Sequence, residues 1–146
     1  MGYIVLIEDN SDDEMLTVRA LKKNNVNNDV IVLHDGAEAL DFFLATGRFQ
    51  GRDIRQKPAL ILLDLKLPKI SGLELLEKLS TEALMKQIPV VVLTTSIESQ
   101  DVISSYQLGA NSYIRKPVDY NEFTGTISKI VDYWLSLNFS ALEPIT

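Results

Sequence analysis

The chain has 146 residues, no cysteine and a formal net charge of −6, with an isoelectric point of about 4.7. That length fits one compact domain, and the missing thiols exclude disulfides, cysteine zinc sites and thiol catalysis, as suits a cytoplasmic protein. The acidic balance argues against nucleic acid as a partner, because such binding depends on Lys and Arg neutralising phosphates.

No apolar run approaches the roughly 18 residues of a membrane-spanning helix, and the first run starts too early to leave room for a signal peptide. That run, Tyr3-Ile4-Val5-Leu6-Ile7, is short and continuous, as a strand covered on both faces of a parallel sheet should be. It ends in Glu8-Asp9. Ser11 and Glu14 then make a capping-box pattern, with Asp12 and Asp13 in the positive first turn of a helix that carries Leu16 and Ala20. Val30-Ile31-Val32-Leu33 is a weaker strand candidate, followed by His34, the only histidine. A helix with an apolar stripe of Ala37, Leu40 and Leu44 comes next. Residues 47–57, with Arg48, Arg52, Arg55 and Lys57, are long and polar for a connection and read as a solvated loop. Leu60-Ile61-Leu62-Leu63 is a third strand, ending in Asp64. Leu73, Leu76 and Leu79 mark a helix after it. Val90-Val91-Val92-Leu93 ends in Thr94-Thr95-Ser96, and Val102, Ile103 and Tyr106 indicate a short fourth helix. Tyr113-Ile114 is the last strand candidate, before Lys116-Pro117. The final helix presents Phe123, Ile127, Ile130, Val131 and Trp134 on one face.

Strands alternating with helices imply βαβ units and a doubly wound α/β sandwich of three layers, with five strands and five helices. Ligands of such sheets bind at the carboxyl ends of the strands, so Glu8, Asp9, Asp64, Thr94 and Lys116 are expected at one edge. Two unit charges ~4 Å apart repel by about 4 kcal/mol at an effective dielectric near 20. Glu8, Asp9 and Asp64 therefore require either protonation or a divalent cation. Mg²⁺ uses one or two carboxylates, waters and phosphate oxygens, and would bring a phosphate dianion against a carboxylate nucleophile. Lys116 supplies a point cation and Thr94 a hydroxyl donor, which suffices for a reaction that needs mostly positioning and charge stabilisation. Asp12 and Asp13 read as partners of the helix dipole. His34 reads as a strand-end residue, since a histidine metal site needs company. Tyr113 is open between core packing and a switch.

Together, Glu8-Asp9, Asp64 in Leu62-Leu63-Asp64-Leu65-Lys66-Leu67-Pro68, Gly72, Thr94, Tyr113 and Lys116-Pro117 resemble the receiver domain of two-component response regulators, in order and over nearly the whole chain. The resemblance implies a flavodoxin-like fold with parallel strand order 2-1-3-4-5. It implies that a sensor histidine kinase passes a phosphoryl group to Asp64. Mg²⁺, with Mn²⁺ as substitute, would be held by Asp9, Asp64 and the backbone carbonyl of Lys66, with Glu8 acting through water. Thr94 would move to the phosphoryl group, Tyr113 would swing inward, and Lys116 would contact the group beside a cis Lys116–Pro117 bond. Glu8 departs from the aspartate many members carry there, and its longer side chain still reaches a metal through water.

The family reading is a signalling switch, not an enzyme in the ordinary sense, acting by contact on an unknown downstream protein. A phosphorelay intermediate that hands the group to another histidine protein is the alternative. An aspartate-nucleophile phosphatase is disfavoured, because Lys66 stands where those enzymes usually carry a second carboxylate. A flavin module is disfavoured by the acidic run Asn10-Ser11-Asp12-Asp13-Glu14, which would repel a flavin phosphate. The segment after the second helix, the run Asp101-Val102-Ile103-Ser104-Ser105-Tyr106 and Tyr133-Trp134-Leu135 resemble regulators paired with bacterial phytochrome kinases. That implies a phytochrome partner and a homodimer through the face of the fourth helix, fifth strand and fifth helix. Residues 1–137 are expected to form the domain. Residues 138–146 are expected to form a tail, and the apolar Leu135, Leu137, Phe139 and Leu142 would extend the interface. With the chain ending soon after the fifth helix, no DNA-binding output domain is expected.

Overall fold

The computed structural model describes residues 2–141. Strands Ile4–Ile7 (β1), Val30–Leu33 (β2), Leu60–Leu63 (β3), Val90–Thr94 (β4) and Ser112–Arg115 (β5) form one sheet. Its order is β2-β1-β3-β4-β5 and every neighbouring pair is parallel. The crossovers carry helices Ser11–Lys23 (α1), Gly36–Leu44 (α2), Gly72–Leu79 (α3) and Ser99–Gln107 (α4), and Tyr120–Val131 (α5) comes after β5. This is the expected doubly wound, flavodoxin-like arrangement. No helix among the described residues is long and apolar enough to cross a membrane.

The continuous apolar strands have a physical reason: both faces of the sheet are covered. Val5, Ile7, Ile61, Leu63, Val90 and Val92 pack toward α2 and α3, while Ile4, Leu6, Leu60, Leu62, Val91 and Leu93 pack toward α1 and α5. Register sets the level at which each strand releases its polar residue. Ile7 pairs with Leu63, so Glu8 and Asp64 leave neighbouring strands at the same level. Thr94 pairs with Arg115, which puts Lys116 one residue past that rung.

α3 and α5 bury the expected faces, whereas α1 differs in its cap and α2 and α4 differ in the face they bury. The N-cap of α1 is Asn10, whose Oδ1 accepts from the amide of Asp13 at 2.9 Å; Ser11 is the first helical residue. The buried stripe of α2 is Ala39, Phe42 and Phe43, and Leu44 is exposed. Two adjacent phenyl rings, edge to face with centroids 5.3 Å apart, bury more apolar area than the leucines, so their side turns inward. In α4 the buried residue is Ser105, while Ile103 and Tyr106 are each 50% exposed. The Ser105 hydroxyl donates back to the Asp101 carbonyl at 2.7 Å, which satisfies it inside the protein. Trp134 lies beyond α5, in a π-helical turn over Asp132–Leu137, half-buried against the α1–α5 core.

Residues 47–57 are mostly exposed, but the loop is anchored. Arg52 donates from Nε to the Phe42 carbonyl at 2.7 Å and lies 4.1 Å over the Phe42 ring. Its Nη1 reaches the Tyr3 hydroxyl at 3.2 Å and the Gln56 carbonyl at 3.1 Å. Leu137 and Phe139 are exposed; Leu142 lies outside the described residues.

Candidate functional site

Four strand ends deliver the site. Glu8 follows β1, Asp64 follows β3, Thr94 closes β4 and Lys116 follows β5. All four side chains are buried. The Lys116 ammonium donates to Glu8 Oε1 at 2.6 Å, Asp64 Oδ2 at 2.9 Å and Asp13 Oδ2 at 2.9 Å. Asp64 Oδ1 accepts from the Thr94 hydroxyl at 2.9 Å and the Lys66 amide at 3.2 Å. Among the described residues no buried side-chain polar atom lacks a hydrogen-bond partner.

Sharing one ammonium among carboxylates polarises their proton affinities. Burial, reinforced by the Asp64 charge, pushes the Glu8 carboxyl up to about 7 against the opposing pull of Lys116. Burial pushes Asp64 up as well, but the charge and hydrogen bond of Lys116, with help from Glu8 and the Lys66 amide, hold it below the ordinary carboxylate range. Burial alone would lower the Lys116 ammonium; its bonds to Glu8, Asp13 and Asp64 outweigh that and raise it. Near neutral pH the cluster therefore holds an ionised Asp64 beside a Glu8 that titrates.

Asp9 is exposed at the mouth of the site. Glu8, Asp9 and Asp64 each offer a carboxylate oxygen, and these atoms lie within 4.8 Å of one another. Hard oxygen donors converging on one point, with solvent on the Asp9 side, fit a small divalent cation. Lys66 sits in the turn directly after β3, next to this point.

The remaining expectations divide. Tyr113 is half-buried against the core and donates from its hydroxyl to the Ser96 carbonyl at 2.8 Å. It stands on the far side of β4 rather than on Asp64. Thr94 already bonds the Asp64 carboxylate. No peptide bond among the described residues is cis, so the Lys116–Pro117 bond is trans, the form favoured intrinsically by about 0.5–1 kcal/mol; Lys116 reaches its partners from it. His34 is a strand-end residue as expected, 2.8 Å from Glu14.

Asp13 is the member that sequence reasoning missed. Its place in the first turn of a helix gives it a sufficient local explanation, and only the fold reveals that β5 brings Lys116 to it.

Gly72 fixes the turn that carries Asp64. Its amide donates to the Leu65 carbonyl at 2.9 Å, and a Cβ there would stand 2.6 Å from both the Asp64 carbonyl oxygen and Leu65 Cα. Both obstacles are backbone. Gly72→Ala is expected to cost about 1–3 kcal/mol, read by urea unfolding; a loss within error of zero would show that the turn yields freely.

In comparison with known proteins, residues 4–128 match the response regulator receiver domain. FilR2 of Methanothrix harundinacea, a probable methanogenesis regulatory protein, is 37% identical over 137 residues, covering 94% of this chain and 86% of its own. The response regulator Rcp1 of Synechocystis is 38% identical over 132 residues, covering 90% of this chain and 88% of its own. The crystal structure of the phosphorylated cyanobacterial phytochrome response regulator RcpA matches with a TM-score of 0.88 at 36% identity, over 96% of this chain and 98% of that one. The Mn²⁺-bound form of Rcp1 matches with a TM-score of 0.87 at 36% identity, over 96% of this chain and 99% of that one.

Proposed function

The chain belongs to the response regulator receiver domain family, and from that premise we propose that it is a phospho-acceptor switch in which Asp64 takes a phosphoryl group from a kinase phosphohistidine with the help of a divalent cation. One observation carries the reading: Asp64 has Lys116 on one carboxylate oxygen and Thr94 on the other, beside the converging oxygens of Glu8 and Asp9.

Glu8, Asp9, Asp64 and the Lys66 carbonyl would hold Mg²⁺, and the Mn²⁺ in Rcp1 supports Mn²⁺ as a substitute. Once bound, the cation neutralises the carboxylates and withdraws charge from phosphoryl oxygens. The chain's own groups do the rest. Lys116 keeps Asp64 ionised and therefore nucleophilic. An Asp64 oxygen bonds to phosphorus as the P–N bond to the donor imidazole breaks, and that nitrogen keeps the electron pair. Lys116 and Thr94 already touch the acceptor, so both need only short shifts to donate to the new phosphoryl oxygens. A shift of Thr94 moves the end of β4, two residues before the Ser96 carbonyl that holds the Tyr113 hydroxyl. In this reading Thr94 and Tyr113 form one line from the site to the α4 side.

Residues 1–137 form the switch in this reading. The phytochrome link of RcpA supports a phytochrome-type kinase as the upstream partner. Exposed Ile103, Tyr106, Leu137 and Phe139 supply apolar surface for a second copy at the face of α4, β5 and α5.

Acetyl phosphate with Mg²⁺ is expected to add one phosphoryl group, seen as a mass shift, and Asp64→Asn is expected to add none. Labelling of Asp64→Asn at the parental level would refute the assignment.

A further inference from the structure

Lys116 brings a single ammonium with three N–H donors. All three are engaged, by Glu8, Asp64 and Asp13. Glu8 and Asp64 have a second use, since their oxygens converge with Asp9 on the candidate cation position. Asp13 is not part of that convergence. It reaches Lys116 from the first turn of α1, where its amide is fixed by Asn10 Oδ1 and its carbonyl accepts the Thr17 hydroxyl at 2.8 Å. A saturated ammonium cannot donate to an arriving oxygen without releasing an acceptor. When a cation engages Glu8 and Asp64, Asp13 is the competitor that remains.

We propose that Asp13 is a positioning residue acting through Lys116: it draws the ammonium toward α1 in the unphosphorylated protein and weakens capture of the phosphoryl group until Lys116 is released. This rests on Asp64 being the acceptor. The plainer account, that Asp13 only complements the helix dipole, would make it equivalent to its neighbour Asp12, which lies in the same turn, is exposed and makes no contact with Lys116.

The test uses the full chain with Mg²⁺ and beryllofluoride, a stand-in for the phosphoryl group, titrated by amide NMR shifts. Asp13→Asn is expected to bind the anion about tenfold more tightly than the parent, the size of one contact within a shared charge network. Asp13→Glu, which restores the charge, should return to within about twofold, and Asp12→Asn should also change affinity by about twofold or less, because an exposed charge is screened. In the metal-free protein the Lys116 Nζ resonance should shift in Asp13→Asn and stay near its parental position in Asp12→Asn. Equal gains in the two Asn variants, or no gain in Asp13→Asn, would overturn the proposal. Acetyl phosphate is the control: an Asp64 oxygen bonds to phosphorus while acetate leaves with its electron pair. If the parent takes neither label nor beryllofluoride, the acceptor reading fails. If it takes both and the Asp13 variants match it, only the role of Asp13 fails.

Discussion

Lys116→Met is expected to destabilise the protein by about 3–5 kcal/mol at pH 8 without divalent cation, because it leaves buried carboxylates without their counter-charge. The Lys116 side chain is 5% exposed, and the side chains of its Glu8 and Asp64 partners are 2% and 10% exposed, so water has little room to take its place. The loss should shrink on acidification. A carboxyl held above its ordinary value, as Glu8 is at about 7, binds its proton more tightly when folded. Its stabilising effect is complete below the ordinary carboxylate range and is lost as pH rises through about 7. Asp64, held low, has the opposite sign: its contribution is present above that range and is lost as pH falls. Removing Lys116 takes away what holds Asp64 low, so the high-pH side suffers most. Mg²⁺ should restore part of the loss by supplying the missing positive charge. Urea unfolding at pH 8 and pH 5.5, with and without Mg²⁺, measures all of this. A loss below about 1 kcal/mol at pH 8 would mean the carboxylates find another partner.

The second large effect concerns the cation itself. At pH 6 Glu8 is mostly protonated and must shed its proton when the cation binds; at pH 8 it is already ionised. Apparent Mg²⁺ affinity should therefore rise about tenfold from pH 6 to pH 8, since each unit of proton affinity below the titration point costs one factor of ten. Calorimetry in buffers of different ionisation enthalpy should detect up to one proton released per cation at pH 6 and close to none at pH 8. Glu8→Gln should flatten the profile. A flat profile in the parent would sink the idea that Glu8 carries the proton.

The architecture was legible because its signal is strong: β1, β3 and β4 are runs of apolar residues too short for helices and covered on both faces. The convergence of the candidate site was legible for a related reason. Glu8, Asp64, Thr94 and Lys116 each lie at a strand end, and a parallel sheet collects strand ends at one edge. What escaped depends on bulk or on distant partners. The face of α2 was misjudged because the Phe42–Phe43 pair outweighs a regular leucine spacing. In α4 the apolar residues point outward and a serine points in, which periodicity cannot announce. The clamp of Arg52 on Phe42 and the contact of Asp13 with Lys116 join residues ten and about a hundred positions apart, and neither leaves a local trace.

Glu8 and Lys116 meet across 108 positions of chain, and Asp64 and Thr94 enter from two further strands. The quartet is held together by β1, β3, β4 and β5 assembled side by side. Loss of any one of the four strands would scatter it, so on the proposed reading the acceptor site would exist only once those strands had assembled. A partly folded copy would, on that reading, offer no complete acceptor site.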